Sequence, residues 1–395
     1  MNNSPQSPNS HRHCLCVVLC LFASPAFALE CGDTLGPGTY EMDADLQCDF
    51  PEGTPSLVLM GGVKLEMRDH TLTCSVDPNM GSPGEGIWLE GANDEVSGGN
   101  IERCGVALDL RGNGGHHISN LNVSGEGRNL VNIQSNHNVV EDIVASQGDW
   151  AFAISGDDNV VMRNQSLSAA GDGFVVIGTR NRVTNNSTTS SGCKGFFVTG
   201  ANNLLADNEA LGTSLCATFE IRGQGNVFER NTARNSVNNG FTVRGIGNVL
   251  RSNVATANGR SGIDILIGFT ENEIVGNMAS GNVLWDLEDD NPNCDNNVWR
   301  DNQFGTANAL CISEICPSGT RSVPVLNSPP APQPISSAVT TSGSAPSPPT
   351  GSGEVGGGGG GGGAIDWLTL LWLIGLAGMV AARGSAPGRR MDQDR

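Results

Sequence analysis

An acidic stretch near the end of the sequence has the composition of a cation site. It places four carboxylates within eight residues: Glu288, Asp289, Asp290 and Asp295. Carboxylate oxygens are the ligands that Ca²⁺ prefers, but this spacing matches no fixed calcium-binding loop. The stretch is therefore either a structural acidic loop or a weak Ca²⁺ site. Ca²⁺ is the one cofactor that the sequence suggests.

A second pair of acids, Asp157 and Asp158, lies within the sequence Ser-Gly-Asp-Asp-Asn. Paired carboxylates can act as acid and base on a glycosidic bond. This piece resembles the Gly-Asp-Asp motif of polygalacturonases. The other motifs of that family are missing, and no carboxylate stands at the matching positions one repeat earlier or later. A solvated corner is therefore favoured over a catalytic pair.

These acids belong to a chain that is organised by a short repeated phrase. Each copy has Asn at its first and sixth places and an apolar residue at its third, and the copies follow one another every 22 to 25 residues. A fixed period of this size indicates a solenoid. The seven copies begin at Asn159, Asn181, Asn203, Asn226, Asn248, Asn272 and Asn297.

A second phrase, apolar-x-apolar-x-Gly, keeps the same period and predicts short strands. Its terminal residues are Gly91, Gly112, Ser135, Gly156, Gly178, Gly200, Gly223, Gly245 and Gly268. Four residues before each of the central ones stands a phenylalanine: Phe152, Phe174, Phe196, Phe219 and Phe241.

The length of the repeat indicates which fold the chain adopts. About 22 residues accommodate two or three short strands with their turns, and no repeat has the 3.6-residue period of a helix. We therefore predict an all-β right-handed parallel β-helix of about ten coils, each about 4.8 Å above the last. The Phe column should fill the interior. The Asn columns should mark turns, where Asn tolerates left-handed backbone and stacked amides can hydrogen-bond.

One face of this solenoid should carry outward side chains. The residues one and three places before each column glycine point away from the core, because side chains alternate along a strand. This face contains four candidate ligand-binding residues: Trp88, Phe197, Arg222 and Arg244. It either binds sugar rings or a protein, or is simply the outside of a sheet.

The charge balance limits the partners. Asp and Glu number 41 against 22 Lys and Arg, so the formal net charge is −19. Such a surface repels nucleic acid and polyanionic glycans unless cations mediate the contact. Only two lysines occur, Lys64 and Lys194. No nucleic-acid partner is expected, and no basic groove for a polyuronate is visible.

Both ends of the repeat region look like caps. The first segment runs from Cys31 through Pro-Gly-Thr-Tyr to Cys48, and the last runs from Trp285 to Cys311. With the repeats between them, these segments resemble bacterial β-helix domains of the pectin-lyase-like superfamily over residues 31–316. The resemblance implies the fold but hardly a function, because that superfamily combines lyases, hydrolases, epimerases and adhesins.

Cysteines in an exported chain are expected to form disulfides. Cys193 and Cys216 each stand seven residues before a column glycine, so they should stack in adjacent coils within reach of a disulfide. The other predicted pairs are Cys31–Cys48 in the first cap, Cys294–Cys311 in the last cap, and Cys74–Cys104. Cys316 is then left over, either free or bonded to another molecule.

The two ends of the chain carry targeting features. Residues 1–28 read as a secretory signal peptide that ends in Ala-Phe-Ala, and the β-helix is assigned to residues 29–316. A Pro-, Ser- and Gly-rich linker follows at residues 317–363. An apolar segment at residues 364–382 is just long enough to span a bilayer, and residues 383–395 are basic, which places the C-terminus in the cytoplasm.

This tail resembles the Gly-Gly type of C-terminal sorting signal of Gram-negative surface proteins. That resemblance implies a rhomboid-like intramembrane protease as a partner and a mature protein at the cell surface or in the medium. The alternative is a permanent single-span membrane anchor.

Two functions therefore stay open. The first and favoured function is a non-catalytic surface module that binds a glycan or a partner protein. The second is a polysaccharide lyase or glycoside hydrolase. The first is favoured because the stacked columns are dominated by residues that explain folding, whereas no stacked set of carboxylates is apparent.

The tail hypothesis can be tested directly. We expect mass spectrometry of the surface-exposed or secreted protein to find a C-terminus near the glycine run or the start of residues 364–382. Recovery of surface protein that still ends in Arg395 would instead indicate a permanent anchor.

Overall fold

The computed structural model describes residues 28–75 and 83–313. Besides a 3-10 helix at Pro292–Cys294 and the helix α1 (Leu310–Ser313), these residues form short strands. In chain order the strands are β1 (Asp33–Leu35), β2 (Gly38–Glu41), β3 (Leu46–Cys48), β4 (Pro55–Leu59), β5 (Val63–Glu66), β6 (Thr71–Cys74), β7 (Glu85–Leu89), β8 (Glu95–Glu102), β9 (Leu108–Leu110), β10 (His117–Gly125), β11 (Asn129–Ile133), β12 (Val139–Gln147), β13 (Trp150–Ile154), β14 (Val160–Met162), β15 (Gln165–Leu167), β16 (Phe174–Val176), β17 (Arg182–Thr184), β18 (Ser187–Thr189), β19 (Phe196–Val198), β20 (Leu204–Ala206), β21 (Glu209–Leu211), β22 (Phe219–Ile221), β23 (Val227–Glu229), β24 (Thr232–Arg234), β25 (Phe241–Val243), β26 (Val249–Arg251), β27 (Val254–Thr256), β28 (Ile263–Ile265), β29 (Glu273–Val275), β30 (Met278–Ser280), β31 (Leu287–Asp289) and β32 (Val298–Arg300).

The strands stack in parallel, coil upon coil. The first sheet takes one strand from each coil, in the order β1-β4-β7-β9-β11-β13-β16-β19-β22-β25-β28-β31. The other strands form two columns that merge in the long strands β8, β10 and β12. The prediction of an all-β parallel solenoid is confirmed. The count of about ten coils was too low, because the first sheet has twelve strands and its terminal coils lack the repeated phrases.

The interior is filled by the phenylalanine column. Consecutive rings from Phe152 to Phe241 stack nearly parallel, with centroids 4.5 to 4.8 Å apart. This distance is the spacing of neighbouring strands, so each ring lies directly on the equivalent ring of the previous coil. All five side chains are fully buried.

The corners of the coils are closed by buried asparagines. The backbone N–H of Asn181 donates to Oδ1 of Asn203 in the next coil at 2.8 Å, and its own Nδ2 donates to the carbonyl of Gly156 in the previous coil at 3.0 Å. The same pattern recurs at Asn203 and along a second column that starts at Asn164. Each asparagine, through its side chain and its backbone N–H, therefore connects three coils and satisfies backbone groups that the turn removes from water.

Four disulfides fasten the solenoid. Cys193 and Cys216 join neighbouring coils with a Cα–Cα distance of 4.7 Å, about one strand spacing. The remaining bonds are the other pairs expected from the sequence: Cys31–Cys48, Cys74–Cys104 and Cys294–Cys311.

The column glycines allow the coils to approach each other. A Cβ atom on Gly200 would lie 1.9 Å from the carbonyl oxygen of Gly178, and one on Gly245 would lie 1.8 Å from that of Gly223. Gly268 does not belong to this column, because its φ is +87° and a Cβ there would meet no atom within 4 Å. The turn between β28 and β29 is two residues longer than the turn between β25 and β26, and Gly268 follows its strand one place later than Gly245 does.

The predicted targeting features mostly fall outside the described residues. This holds for residues 1–27 of the signal peptide, for Cys316, the linker 317–363, the apolar segment 364–382 and the basic tail 383–395. These features and the domain boundaries stay predictions. Within residues 28–75 and 83–313, no helix has the length and apolar character needed to cross a bilayer.

The asparagine ladder predicts a specific stability effect. Replacing buried Asn203 by Ala leaves the N–H of Asn181 and the carbonyl of Gly178 without their partners. We expect a loss of about 2 to 6 kcal/mol in the free energy of unfolding, because each of the two unsatisfied buried groups costs about 1 to 3 kcal/mol. Denaturant unfolding monitored by circular dichroism measures it.

The matched control is Asn296→Ala, because Asn296 is exposed beside the last residue of the same ladder. We expect this variant to unfold like the parent chain. Equal losses in the two variants would contradict a structural role of the ladder.

Candidate functional site

One column of outward side chains runs along the first sheet. Its members occupy register-matched positions on ten successive strands. They are Trp88, Asp109, Asn132, Ala153, Val175, Phe197, Glu220, Thr242, Asp264 and Glu288.

These side chains face away from the core, yet several are buried. The exposed fraction is 2% for Asp109, 6% for Glu220 and 5% for Asp264. No further strand of residues 28–75 and 83–313 covers this face, and the buried acids lie against side chains beside them, such as Arg111 at Asp109 and Arg222 at Glu220. This column and the side chains beside it are here called the outer furrow. Two clefts open along it, one of about 360 Å³ beside Arg111 and Gln134 and one of about 410 Å³ beside Arg222 and Arg244.

The first group of functional side chains in the furrow surrounds Trp88. The guanidinium of Arg111 lies 3.6 Å from the Trp88 ring centroid, and its Nη2 is 2.6 Å from Oδ2 of Asp109. The indole N–H of Trp88 donates to Glu85, and burial raises the pKa of the Glu85 carboxyl. One face of the Trp88 ring is thus already covered by a cation.

A second group lies around Phe197, five strands further along. Lys194 Nζ is 4.5 Å and Arg222 Cζ 5.1 Å from the Phe197 ring centroid. Glu220 Oε1 accepts from Arg222 Nε at 2.6 Å and lies 3.6 Å from Arg244 Nε. Phe197, Arg222 and Arg244 therefore lie together, whereas Trp88 is about 24 Å away by strand spacing. The four predicted binding residues belong to two separate groups along one furrow.

A buried ion pair supports the Phe197 group from one side. Lys194 Nζ lies 3.6 Å from Asp172 Oδ2 and 3.8 Å from Glu220 Oε2, and the side chains of Lys194 and Asp172 are 13% and 7% exposed. Burial raises the pKa of Asp172, and the nearby Lys194 opposes this rise. One of the only two lysines of the chain thus holds two acids of the furrow in place.

The third group is an acid corner, which consists of Asp264, Glu288 and Asp290. Asp264 Oδ2 accepts from Asn239 Nδ2 at 2.7 Å, and Ser261 Oγ donates to Glu288. Among the described residues, Asp264 Oδ1 is buried without a hydrogen-bond partner. Burial, together with the charges of Glu288 and Asp290, raises the pKa of Asp264 to about 7. Burial also raises the pKa of Glu288.

Asp264 is not apparent from the repeat pattern of the sequence. An alignment on the glycines places Ile265, three residues before Gly268, in the outward column. The register instead pairs Asp264 with Thr242 and puts Ile265 in the core beside Val243. The sequence does contain a signal for Asp264. The strand Ile263–Ile265 has an acidic residue between two apolar ones, and because side chains alternate along a strand, the side chain of Asp264 must face outward.

Asp157 and Asp158 make structural contacts to the next coil and are not arranged as a catalytic acid and base. Asp157 Oδ1 accepts from the backbone N–H of Thr179 in the next coil at 2.6 Å. Asp158 binds the Arg180 guanidinium through both oxygens at 2.8 and 2.7 Å, and this hydrogen bonding lowers its pKa. The weak candidates for catalysis thus connect neighbouring coils at a corner.

The four candidate Ca²⁺ ligands point in different directions. Glu288 belongs to the outward column, the exposed Asp290 directly follows β31, and Asp295 follows the 3-10 helix as an exposed residue. Asp289 is 3% exposed and accepts hydrogen bonds from Asn291, Asn297 and Trp299. Within residues 28–75 and 83–313, no group of three or more His, Cys, Asp or Glu side chains is arranged to hold a metal ion.

The raised pKa of Asp264 predicts how stability depends on pH. The folded protein keeps this proton up to about pH 7, whereas the unfolded chain releases it near 3.8. Stability should therefore fall by up to about 1.4 kcal/mol per pH unit between these values. We expect Asp264→Asn to be more stable relative to the parent chain at pH 8 than at pH 5, as measured by urea unfolding.

Asp158→Asn provides the control, because the pKa of Asp158 is lowered and its titration lies below this pH window. If Asp264→Asn keeps the pH dependence of the parent chain, Asp264 does not titrate near neutrality.

No protein-family model matches this chain, and no curated protein sequence matches it significantly. Several solved structures are similar to this chain at low sequence identity. The periplasmic alginate epimerase AlgG is 13% identical, over 68% of this chain and 76% of its own, with a TM-score of 0.47. The A-module of the Azotobacter vinelandii mannuronan C-5 epimerase AlgE4 is 15% identical, over 70% and 87%, at 0.40. The Dettilon tailspike protein is 14% identical, over 66% and 54%, at 0.40.

Proposed function

We propose that this chain is an exported right-handed β-helix whose outer furrow binds an extended polysaccharide. The observation that carries the proposal is the furrow itself, an outward column that should be exposed but lies enclosed over successive coils. Because the same position recurs every coil, the furrow presents a series of similar sites along a line. A linear polymer of similar units is the ligand that matches such a series.

The charges of the furrow favour a neutral polysaccharide. The acids and cations of the first two groups contact each other, as Arg111 does with Asp109 and Arg222 with Glu220. Such pairs offer both donors and acceptors to sugar hydroxyls. The net charge of −19 opposes a polyanionic glycan.

A polysaccharide fits the furrow better than a folded protein does. Protein interfaces have a fully buried core that is depleted in charged residues. The floor of the furrow carries Asp109, Glu220 and Asp264 at its most enclosed positions. These groups suit a hydroxyl-rich ligand that replaces water hydrogen bonds one by one.

We also propose that the chain acts outside the cytoplasm. Four disulfides suit an oxidising compartment, and the N-terminal sequence reads as a signal peptide. The apolar segment 364–382 then inserts into a Gram-negative inner membrane, and a rhomboid-like protease processes it before surface display. A weak Ca²⁺ site in the acidic stretch 288–295 stays a proposal as well.

The sequence favoured a non-catalytic module over a carbohydrate-active enzyme. The acid corner is the observation that supports the enzyme, because it combines a buried carboxyl group with accessible carboxylates at one end of the furrow. Polysaccharide binding is common to both functions.

Binding can be tested with the full chain in detergent by affinity electrophoresis against soluble glucan, xylan, galactomannan and polyuronate. We expect at least one neutral polysaccharide to retard the protein. Arg244→Ala, beside the larger cleft, should weaken this binding about fivefold or more, as for a contact of about 1 kcal/mol.

Arg251→Ala is the matched control, because Arg251 is similarly exposed but lies on β26 and pairs with Glu229 on β23, outside the first sheet. It should bind like the parent chain. If no polysaccharide of the panel is bound, or if both variants lose binding equally, the proposed function is wrong.

A further inference from the structure

We infer that the disulfide Cys193–Cys216 is a thiol-exchange site beside the outer furrow. A dithiol reductant opens this bond, and its opening weakens polysaccharide binding at the Phe197 group. Oxidation closes the bond again. This inference rests on the proposed function and adds a means of regulating the same site.

Lys194 connects the disulfide to the furrow. Its Nζ lies 3.3 Å from Cys193 Sγ, and its side chain is only 13% exposed. The same ammonium group lies 3.6 Å from Asp172 Oδ2, 3.8 Å from Glu220 Oε2 and 4.5 Å from the Phe197 ring centroid. One cation thus contacts both the disulfide and three side chains of the furrow. A change at the sulfur therefore reaches the furrow through a single side chain.

The cation makes Cys193 the better leaving group of the disulfide. Thiol–disulfide exchange expels one sulfur as a thiolate, and it is faster when that thiolate is more stable. A neighbouring ammonium group stabilises a thiolate. A thiolate that attacks Cys216 Sγ therefore expels Cys193 Sγ beside Lys194. Cys216 is partly exposed and follows Leu215, which is 74% exposed, so the attack comes from the solvent side.

The other three disulfides of the described residues are protected by burial. Both members of Cys193–Cys216 are partly exposed. Exchange requires access of the attacking thiolate to a sulfur atom, so this bond should react before the others. Each of the others contains at least one cysteine that is no more than 2% exposed: Cys48, Cys74, Cys104 and Cys294.

The surroundings of two of these buried disulfides also disfavour a thiolate. Cys31 Sγ lies 3.2 Å from the carbonyl oxygen of Gln47, and Cys104 Sγ lies 3.5 Å from that of Glu102. The negative end of a carbonyl dipole repels a thiolate, whereas the Lys194 ammonium attracts one. The charge beside the sulfur therefore distinguishes Cys193–Cys216 from these bonds.

The exchange needs a dithiol as its only co-reactant. One thiolate of the dithiol attacks Cys216 Sγ, the bond between the two cysteines breaks, and its electron pair stays on Cys193. The second thiolate of the dithiol then attacks the dithiol sulfur that is bonded to Cys216. Cys216 leaves as a thiolate, and the dithiol becomes a cyclic disulfide. Two electrons thus pass to the protein, and the two protons of the dithiol go to solvent or to the new thiol groups.

The Cys193 thiolate changes the contacts of Lys194. It places a full negative charge 3.3 Å from Nζ, closer than the acid oxygens at 3.6 and 3.8 Å. Attraction between opposite charges grows as their distance shortens, so the ammonium group moves toward Cys193. Glu220 then loses one of its cations, and Phe197 loses the cation over its ring. Ligand contacts at the Phe197 group weaken as a result.

The change stays local because the backbone around the disulfide is held by other bonds. Thr213 Oγ1 donates to the Cys216 carbonyl at 3.0 Å, and Ser236 Oγ donates to the same carbonyl at 3.1 Å. The Cys193 N–H donates to the carbonyl of Gly171 at 2.9 Å. These bonds do not involve the sulfur atoms, so both turns keep their places when the disulfide opens. The bond can therefore form again.

The first test determines which disulfide of the full chain in detergent opens first. Free thiols are blocked with N-ethylmaleimide, dithiothreitol is added without denaturant, and new thiols are labelled with iodoacetamide for peptide mass spectrometry. We expect Cys193 and Cys216 to be labelled about tenfold faster or more than the cysteines of the other disulfides. Earlier opening of another disulfide would overturn the inference, and this measurement requires no variant.

Lys194→Met tests the role of the cation. We expect labelling of Cys193 and Cys216 to slow about threefold or more, because the leaving thiolate loses its stabilising charge. A merely structural role of Lys194 would instead speed labelling, since a loosened coil exposes the sulfurs. Lys194→Arg keeps the charge and should react like the parent chain.

Lys64→Met is the matched control, because Lys64 is the other lysine of the chain and pairs with Glu66 on β5. Its labelling rate should equal that of the parent chain. Circular dichroism confirms that each variant is folded. Faster or unchanged labelling in Lys194→Met would contradict the role of the cation.

The final test measures binding by affinity electrophoresis with the neutral polysaccharides that retard the oxidised chain. We expect the dithiothreitol-treated chain to bind about fivefold more weakly, as for the loss of a contact of about 1 kcal/mol. Oxidised glutathione should restore binding. The double variant Cys193→Ser, Cys216→Ser should not respond to dithiothreitol.

The outcomes separate the inference from the proposed function. Equal binding by the oxidised and reduced chains would overturn the regulation but keep the proposed function. Absence of binding by the oxidised chain would remove the proposed function and the regulation with it, and the order of labelling would then decide the exchange site alone. A response to dithiothreitol that persists in the double variant would assign it to another disulfide and overturn the inference.

Discussion

The stacking of coils at one strand spacing is the constraint on which this structure depends. At the corners of a coil, many backbone N–H and C=O groups lack the hydrogen bonds that strands make. These groups are buried by the coils above and below. The asparagine ladders replace these bonds: the side-chain oxygens of Asn181 and Asn203 accept from the previous coil, and their backbone N–H groups donate to the next coil. Glycines such as Gly200 permit the contact, since a side chain there would collide with a carbonyl. Packing between coils therefore determines which residue types can occupy the asparagine and glycine columns.

The same stacking produces the outer furrow. Register-matched residues must lie above one another, so any side chain placed outward on the first sheet joins a continuous column. Where the column carries large or charged groups, neighbours in adjacent coils enclose each other, as Lys194, Phe197 and Glu220 do. A ligand site on such a fold is assembled from several coils, and it lengthens in steps of one strand spacing.

Two kinds of charged contact occur on the outside of the solenoid. At the corners, exposed arginines bind acids of the previous coil, as Arg180 binds Asp158 and Arg230 binds Asp207. These pairs are solvated and contribute little to stability. In the furrow the acids are enclosed, and the pKa of Asp264 rises because burial and like charges both disfavour its ionised form. Enclosure by neighbouring coils thus distinguishes acids with a raised pKa, such as Asp264, from the solvated acids at the corners.

The repeat period determined most of the fold. Residues about 22 positions apart had to stack, so the sequence alone predicted the Phe and Asn columns and the disulfide between Cys193 and Cys216. It did not predict the acid corner, because two extra residues in the turn after β28 disturb the spacing, so that Gly268 falls one place late and hides the outward position of Asp264. Burial and hydrogen bonding of a carboxylate depend on which side chains of adjacent coils reach it, and only the tertiary structure decides that contact.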